Sequence, residues 1–216
     1  MLKDYKVIKK IIFDLDNTLL FISSEWEKSY QKFIDKYRLK ITPKELFSCI
    51  GTFEKNINNV IVTNKIMCEY INSKLHISLT ENMFIELLDV YKNIPLINTD
   101  IIYNILEYLS HKYELIVYTN WFSKNQIERL KKYNLDKFFS KIYGWDVLEI
   151  KPSVNGIKKI IGDNQIDEYL FIGDNIEIDL EIPYNMGMST ILYNRKFIKQ
   201  NKFQEIFKLI ELKSIL

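Results

Sequence analysis

The chain of 216 residues is 47% hydrophobic and 14% aromatic, ample material for a buried core of one large domain or one domain with an insertion. Thirty Lys+Arg against 28 Asp+Glu leave a net charge of +2, too close to neutral to argue for a nucleic-acid partner. Two cysteines (Cys49, Cys68) and two isolated histidines (His76, His111) exclude a disulfide scaffold, a thiolate–imidazole metal site and a Ser-His-Asp or Cys-His catalytic set.

Taken in chain order, Ile11-Ile12-Phe13 is a short apolar run of the kind that forms a buried strand, and it ends in acidic residues. Residues 21–96 then read as helical. Ser24 with Glu27 has capping-box spacing ahead of the stripe Trp26, Tyr30, Phe33, Ile34 and Tyr37. Thr42, Pro43 and Glu45 repeat that signal before Leu46 and Phe47. Amphipathic stretches are expected through Ile57, Val60 and Ile61 and through Met83, Phe84, Leu87, Leu88 and Tyr91. From there the pattern alternates. Ile101 to Leu109 is helical, 115–118 strand-like, Ile127 with Leu130 helical, 141–143 a weaker strand, Ile157 to Ile161 helical, and 170–172 and 190–193 strand-like. Continuous apolar strands alternating with helices indicate a parallel α/β sheet covered on both faces. The expected organisation is an α/β core from residues 1–20 and 97–216, with residues 21–96 inserted as a mainly helical domain. The basic stretches Arg129–Lys132 and Arg195–Lys196 read as solvated faces. No uncharged apolar run approaches the roughly 18 residues that span a bilayer, and the N-terminus lacks a signal-peptide pattern, so a cytoplasmic location with no membrane partner is expected.

Residues capable of chemistry cluster where ligands of open α/β sheets gather, at strand carboxyl ends. Asp14 and Asp16 follow the first strand, Thr119 and Asn120 end the second, Lys151 precedes a helix, and Asp174 and Asp179 follow the strand at 170–172. Four carboxylates converging with one ammonium would need a compensating cation. Oxygen ligands without His or Cys select a hard ion, most plausibly Mg²⁺. Such a site suits a phosphate ester. Asp14 and Asp16, two apart on an extended chain, face one centre, so that one can attack phosphorus while the other moves the proton.

These segments resemble the haloacid dehalogenase superfamily, in the subfamily whose helical cap is inserted after the first motif, as in phosphoglycolate phosphatase-like members. Asp14-Leu-Asp16-Asn-Thr18 matches the first motif, Val117 to Asn120 the second, Lys151-Pro152 the third, and Gly173-Asp174 with Asp179 the fourth. The resemblance implies a Rossmann-like parallel core and a Mg²⁺-dependent phosphatase acting on a small phosphorylated metabolite through an aspartyl-phosphate. Asp14 would be nucleophile and metal ligand. Asp16 would be the general acid/base, with its backbone carbonyl on the metal. Thr119, Asn120 and Lys151 would hold the phosphoryl group, and Asp174 and Asp179 the metal, with Glu177 the alternative to Asp179. Family members that cleave carbon–halogen bonds lack an aspartate at the position of Asp16, which favours phosphate monoesters. A phosphomutase, which also keeps both aspartates, and a non-catalytic binding domain are the alternative readings. Pro183 places the start of the helix after the fourth motif near Asp179 or later.

Overall fold

Ile11, Ile12 and Phe13 are all fully buried, and successive side chains of a strand point to opposite faces, so this strand must be covered on both sides. A computed structural model, which describes residues 7–216, shows how. Residues 1–6 of the expected core lie outside the described residues. Six strands form one parallel sheet in the order β5-β4-β1-β6-β7-β8: β1 (Lys10–Phe13), β4 (Glu114–Thr119), β5 (Phe139–Gly144), β6 (Tyr169–Gly173), β7 (Ser189–Tyr193) and β8 (Gln204–Ile206). β1 pairs in parallel with β4 (Phe13 opposite Val117) and with β6 (Phe13 opposite Ile172). Ile11, Phe13, Leu115, Val117, Leu170 and Ile172 pack on one face against α5 (Thr99–Ser110) through Ile102, Ile105 and Leu106. Ile12, Ile116, Tyr118 and Phe171 pack on the other against Ile157, Ile160 and Ile161 of α7 (Val154–Ile161). The expected strands and the α/β fold are therefore present. β8 was not foreseen, because its Gln204-Glu205-Ile206 carries a single apolar residue at a sheet edge.

A two-stranded antiparallel ribbon, β2 (Phe21–Ile22) with β3 (Leu96–Ile97), brackets the helical segment. Between its strands lie α1 (Trp26–Tyr37), α2 (Pro43–Thr52), α3 (Asn64–Leu75) and α4 (Glu81–Asn93). Their apolar stripes meet in a second buried cluster that holds Tyr30, Phe33, Phe53 and Phe84 and also Trp121, Phe122 and Trp145 from the sheet side. Cys49 and Cys68 are free and buried in it, as expected of small apolar side chains. No helix among the described residues is long and apolar enough to cross a membrane.

Three local expectations are corrected. The Ser24–Glu27 capping box does not form. Glu25 occupies the cap position in helical conformation without a side-chain bond, because the chain turns into α1 directly from β2. Ile57, Val60 and Ile61 are not helical. Their segment pairs instead with the loop after β5, through Val62 N–H to the Trp145 carbonyl (2.7 Å) and Ile150 N–H to the Val60 carbonyl (2.9 Å). Finally, Arg129, on α6 (Ser123–Lys131), is only 1% exposed and belongs to no solvated face. The α-helix after the fourth motif, α8 (Glu181–Asn185), starts after Asp179 as expected and carries Pro183 in its first turn, behind a wide π-type turn over Ile176–Leu180 that was not foreseen.

The Thr42–Glu45 capping box forms as expected, with Thr42 accepting from Glu45 N–H (3.2 Å) and the Glu45 carboxylate accepting from Thr42 N–H (2.7 Å), ahead of Pro43. Thr42→Ala is expected to lower stability by about 1 kcal/mol, seen as a lower urea midpoint with an unchanged slope.

Candidate active site

The three central strands β4, β1 and β6 run parallel and side by side, so the residues after them emerge at one edge of the sheet. Directly after β1, Asp14 N–H donates to the Ile172 carbonyl (3.0 Å), which fixes the aspartate between its neighbours. The chain then folds back sharply. Asn17 adopts φ 70°, a left-handed conformation that Asn tolerates better than most residues, and the Thr18 and Leu19 N–H groups both donate to the Leu15 carbonyl. This turn returns the Thr18 hydroxyl to Asp14, where it donates to Oδ2 (2.9 Å) in a fully buried position. Thr18 thus orients a carboxylate rather than capping the turn.

The other oxygen of Asp14, Oδ1, accepts from Lys151 Nζ (2.7 Å), and the same ammonium donates to Asp179 Oδ1 (2.7 Å). Asp14, Lys151 and Asp179 are all buried. Burial works against the Lys151 charge, but the two carboxylates more than offset it and hold the ammonium protonated far above its ordinary range. Asn120 clasps the Lys151 backbone from both sides, its Oδ1 accepting from Lys151 N–H (2.8 Å) and its Nδ2 donating to the Lys151 carbonyl (3.0 Å). The side chain of Asn120 is therefore committed to placing Lys151. Asp179 reaches the cluster because Gly173 has no side chain: a Cβ there would overlap the Asp179 carboxylate. Asp179 is 2% exposed and joins the cluster, whereas Glu177 points to solvent.

Asp14, Asp174 and Asp179 each present a carboxylate oxygen within 4.8 Å of the others. Burial pushes Asp14 up to about 7, with Lys151 opposing and the Asp179 and Asp16 charges adding to it. Burial and the Asp14 charge raise Asp174 to about 6 against the pull of Lys196 and Lys151. Asp179 is raised too, chiefly by burial. Three oxygen donors whose ionised forms disfavour one another fit a small hard dication, which would bind the ionised state of all three.

The Asp16 carboxylate lies outside this trio, held by three donors not foreseen in the sequence. Its Oδ1 accepts from Arg129 Nη1 (2.8 Å) and from the Tyr91 hydroxyl (2.8 Å), and its Oδ2 accepts from Gln126 Nε2 (2.6 Å). Gln126 also donates to Thr119 Oγ1 (3.1 Å), and the Arg129 guanidinium stacks on the Tyr91 ring at 4.4 Å. A signal for two of these donors existed in the sequence. The face of α6 that carries Leu130 also carries Asn125, Gln126 and Arg129, polar residues where the sheet-facing stripe of a helix is ordinarily apolar.

Asp14, Asp16, Thr119, Lys151, Asp174 and Asp179 all line one cavity of about 320 Å³ between the sheet edge and the helices. Glu54, on the turn Phe53–Lys55 after α2, reaches into it and accepts from Asn120 Nδ2 (2.8 Å), its carboxyl raised by burial. Lys55 also lines the cavity, whereas Asn56 turns away to the Thr52 carbonyl and the Tyr70 hydroxyl. Trp121 packs on Tyr91 (4.8 Å between rings) and Trp145 (5.3 Å), which makes it both a cavity wall and part of the helical cluster.

Residues 11–193 match the family model described as haloacid dehalogenase-like hydrolase. None of the curated proteins compared is a significant match. Among solved structures the chain is similar to the HAD-hydrolase YfnB of Bacillus subtilis, solved bound to magnesium, at 18% identity over 96% of this chain and 98% of that one, with a TM-score of 0.76. It is similar to 2-haloacid dehalogenase of Pseudomonas syringae pv. tomato DC3000, at 16% identity over 96% and 97% of the two chains, with a TM-score of 0.67. A protein of Haemophilus somnus 129PT described as a predicted phosphoglycolate phosphatase gives 19% identity over 97% and 98%, with a TM-score of 0.68. At these identities the likeness is one of fold.

Because the folded Asp14 carboxyl titrates near 7 rather than near its ordinary 3.8, the unfolded chain releases that proton first as pH rises. The stability of the cation-free wild type relative to Asp14→Asn is therefore expected to fall between about pH 4 and pH 7 and to level off above it. Protons compete with a dication for the same oxygens, so the rise in Tm on adding Mg²⁺ should be larger at pH 8 than at pH 5. Thermal melts across pH, with and without the ion, measure both.

Proposed function

The chain belongs to the haloacid dehalogenase-like hydrolases, and on that premise we propose that it hydrolyses a phosphate monoester of a small metabolite through a phosphorylated aspartate. The observation that carries this reading is the placement of Asp14. Its buried carboxylate sits at one cavity with both oxygens fixed, by Lys151 and Thr18, and a second carboxylate, Asp16, lines the same cavity. Fixing a nucleophile in this way removes the orientational cost of attack.

In the first step an Asp14 oxygen forms a bond to phosphorus as the ester P–O bond breaks, and Asp16 delivers a proton to the departing alkoxide. In the second, water attacks the phosphorus of the aspartyl-phosphate, Asp16 takes up a proton from it, and the P–O bond to Asp14 breaks to release inorganic phosphate. The Thr119 hydroxyl, at the carboxyl end of β4, and the Lys151 ammonium line the cavity and would hold phosphoryl oxygens. Asn120 supports them by clasping the Lys151 backbone. Asp14, Asp174 and Asp179 would hold Mg²⁺ with the Asp16 backbone carbonyl. When bound, the ion neutralises phosphoryl charge and relieves the repulsion among these carboxylates. The helical segment would act as a cap that excludes water from the leaving-group side, in a protein that works in the cytoplasm.

Structural likeness extends to dehalogenases as well as to a phosphatase. The aspartate at position 16 supports the phosphate reading, because ester hydrolysis needs a proton donor for the alkoxide. Phosphate release from a panel of phosphorylated metabolites, with and without Mg²⁺, tests it. Asp14→Asn is expected to lose turnover and the phosphorylated-enzyme species while remaining folded. Asp16→Asn is expected to lose roughly 10²–10⁴-fold in kcat. Chloride release from a haloacid would overturn the reading, as would isomerisation of a sugar monophosphate without net phosphate release, the mark of a mutase.

A further inference from the structure

Three donors hold the half-buried Asp16 carboxylate, and they come from two parts of the fold. Gln126 and Arg129 stand on α6, whereas Tyr91 stands on α4 in the helical segment. We propose that Tyr91, Gln126 and Arg129 are positioning residues that aim one oxygen of Asp16, Oδ2, at the ester oxygen of the substrate, and that Tyr91 makes this aim depend on α4 being docked against α6. The inference rests on the phosphatase reading above.

The atom assignment follows from counting lone pairs. A carboxylate oxygen accepts about two hydrogen bonds. Oδ1 already has two donors, Arg129 Nη1 and the Tyr91 hydroxyl, both at 2.8 Å. Oδ2 has one, Gln126 Nε2 at 2.6 Å, and therefore keeps a free direction in a side chain that lines the cavity. The proton passed to the alkoxide leaves from Oδ2, and the proton taken from water returns to it. With Oδ2 protonated, one lone pair still serves Gln126, so the clamp holds in both protonation states. Burial keeps the Tyr91 phenol protonated far above its ordinary range, so it remains a donor throughout.

Arg129 is held as a positioning group would be. Its Nη1 divides between Asp16 and Gln126 Oε1 (2.7 Å), which ties two clamp members together, while its Nε and Nη2 are buried without partners. Its charge faces the Asp16 carboxylate at the cavity. Hydrogen bonds and ion pairs join α4 to α6 and the residue after it, beside the Tyr91–Trp121 ring contact. Asn125 Nδ2 donates to the Leu88 carbonyl (2.9 Å), Lys92 pairs with Glu128 (2.7 Å), and Lys132 donates to the Lys92 carbonyl (3.0 Å). Hydrogen bonds between α4 and α6 thus place the Tyr91 hydroxyl on Asp16.

The test uses kcat/KM with Mg²⁺ on two esters, an alkyl phosphate whose alkoxide must be protonated to leave and p-nitrophenyl phosphate, whose phenolate leaves without help. Tyr91→Phe removes one hydroxyl and keeps the ring under Arg129. It is expected to lower kcat/KM for the alkyl ester by about 10- to 100-fold, the loss of one bond to a charged group, and for the aryl ester by about threefold or less. Arg129→Gln should repeat that contrast with a larger loss, and where it fails to fold Tyr91→Phe carries the test alone. Equal losses on both esters, or no loss on either, would overturn the positioning role and leave the phosphatase reading standing. A wild-type chain inert towards both esters would overturn that reading and this role with it.

Discussion

Like charge crowded into a confined space is the constraint on which this site depends. Asp14, Asp174 and Asp179 offer oxygens within 4.8 Å of one another, and the single ammonium of Lys151 bonds two of them. Lys151, with the exposed Lys196 3.6 Å from Asp174, does not balance two buried carboxylates and a half-buried one, so burial and mutual repulsion raise all three acids. The surrounding structure is arranged to keep that unfavourable grouping in place. Gly173 makes room for Asp179, Thr18 holds the second oxygen of Asp14, and Asn120 clasps the backbone of Lys151 on both sides. A site that stores repulsion in this way is prepared for a dication and for an anionic substrate that shares it.

Asp16 is treated in the opposite manner. Arginine, glutamine and tyrosine surround it, and it stands apart from the other carboxylates although it is two residues from Asp14. Two acids on one short turn are thereby given different partners, a condition for giving them different tasks. The separation depends on α6, whose buried face is polar where it meets the site and apolar at Leu130. It depends equally on α4, since Tyr91 comes from the helical segment. The aromatic cluster of Trp121, Phe122 and Trp145 with the helical segment makes the cavity wall and the packing of that segment one structure. The backbone bonds between residues 60–62 and the loop after β5 extend the same contact.

Much of this was legible in the chain. Ile11-Ile12-Phe13 and its three stronger counterparts could only be strands buried on both faces, and strands of that kind, alternating with helices, run parallel. Their carboxyl ends then had to lie together, which brought Asp14, Thr119 and Asp174 to one edge whatever the details of the loops. The Thr42–Glu45 box was legible because its two hydrogen bonds are local. The Ser24–Glu27 box carried the same spacing and failed, because the ribbon of β2 and β3 delivers the chain to α1 already turning.

The sequence by itself determined the order of the strands along the chain, the kind of chemistry at their ends, and that a helical segment interrupts them. These rest on periodicity and on residue type, which act over a few neighbouring positions. Only the tertiary structure decided that Arg129 is buried rather than solvated, that Asn120 serves Lys151, and that a tyrosine 75 positions from Asp16 donates to it. A long polar side chain carries no sign of its partner, because its burial depends on a charge brought to it by distant parts of the fold.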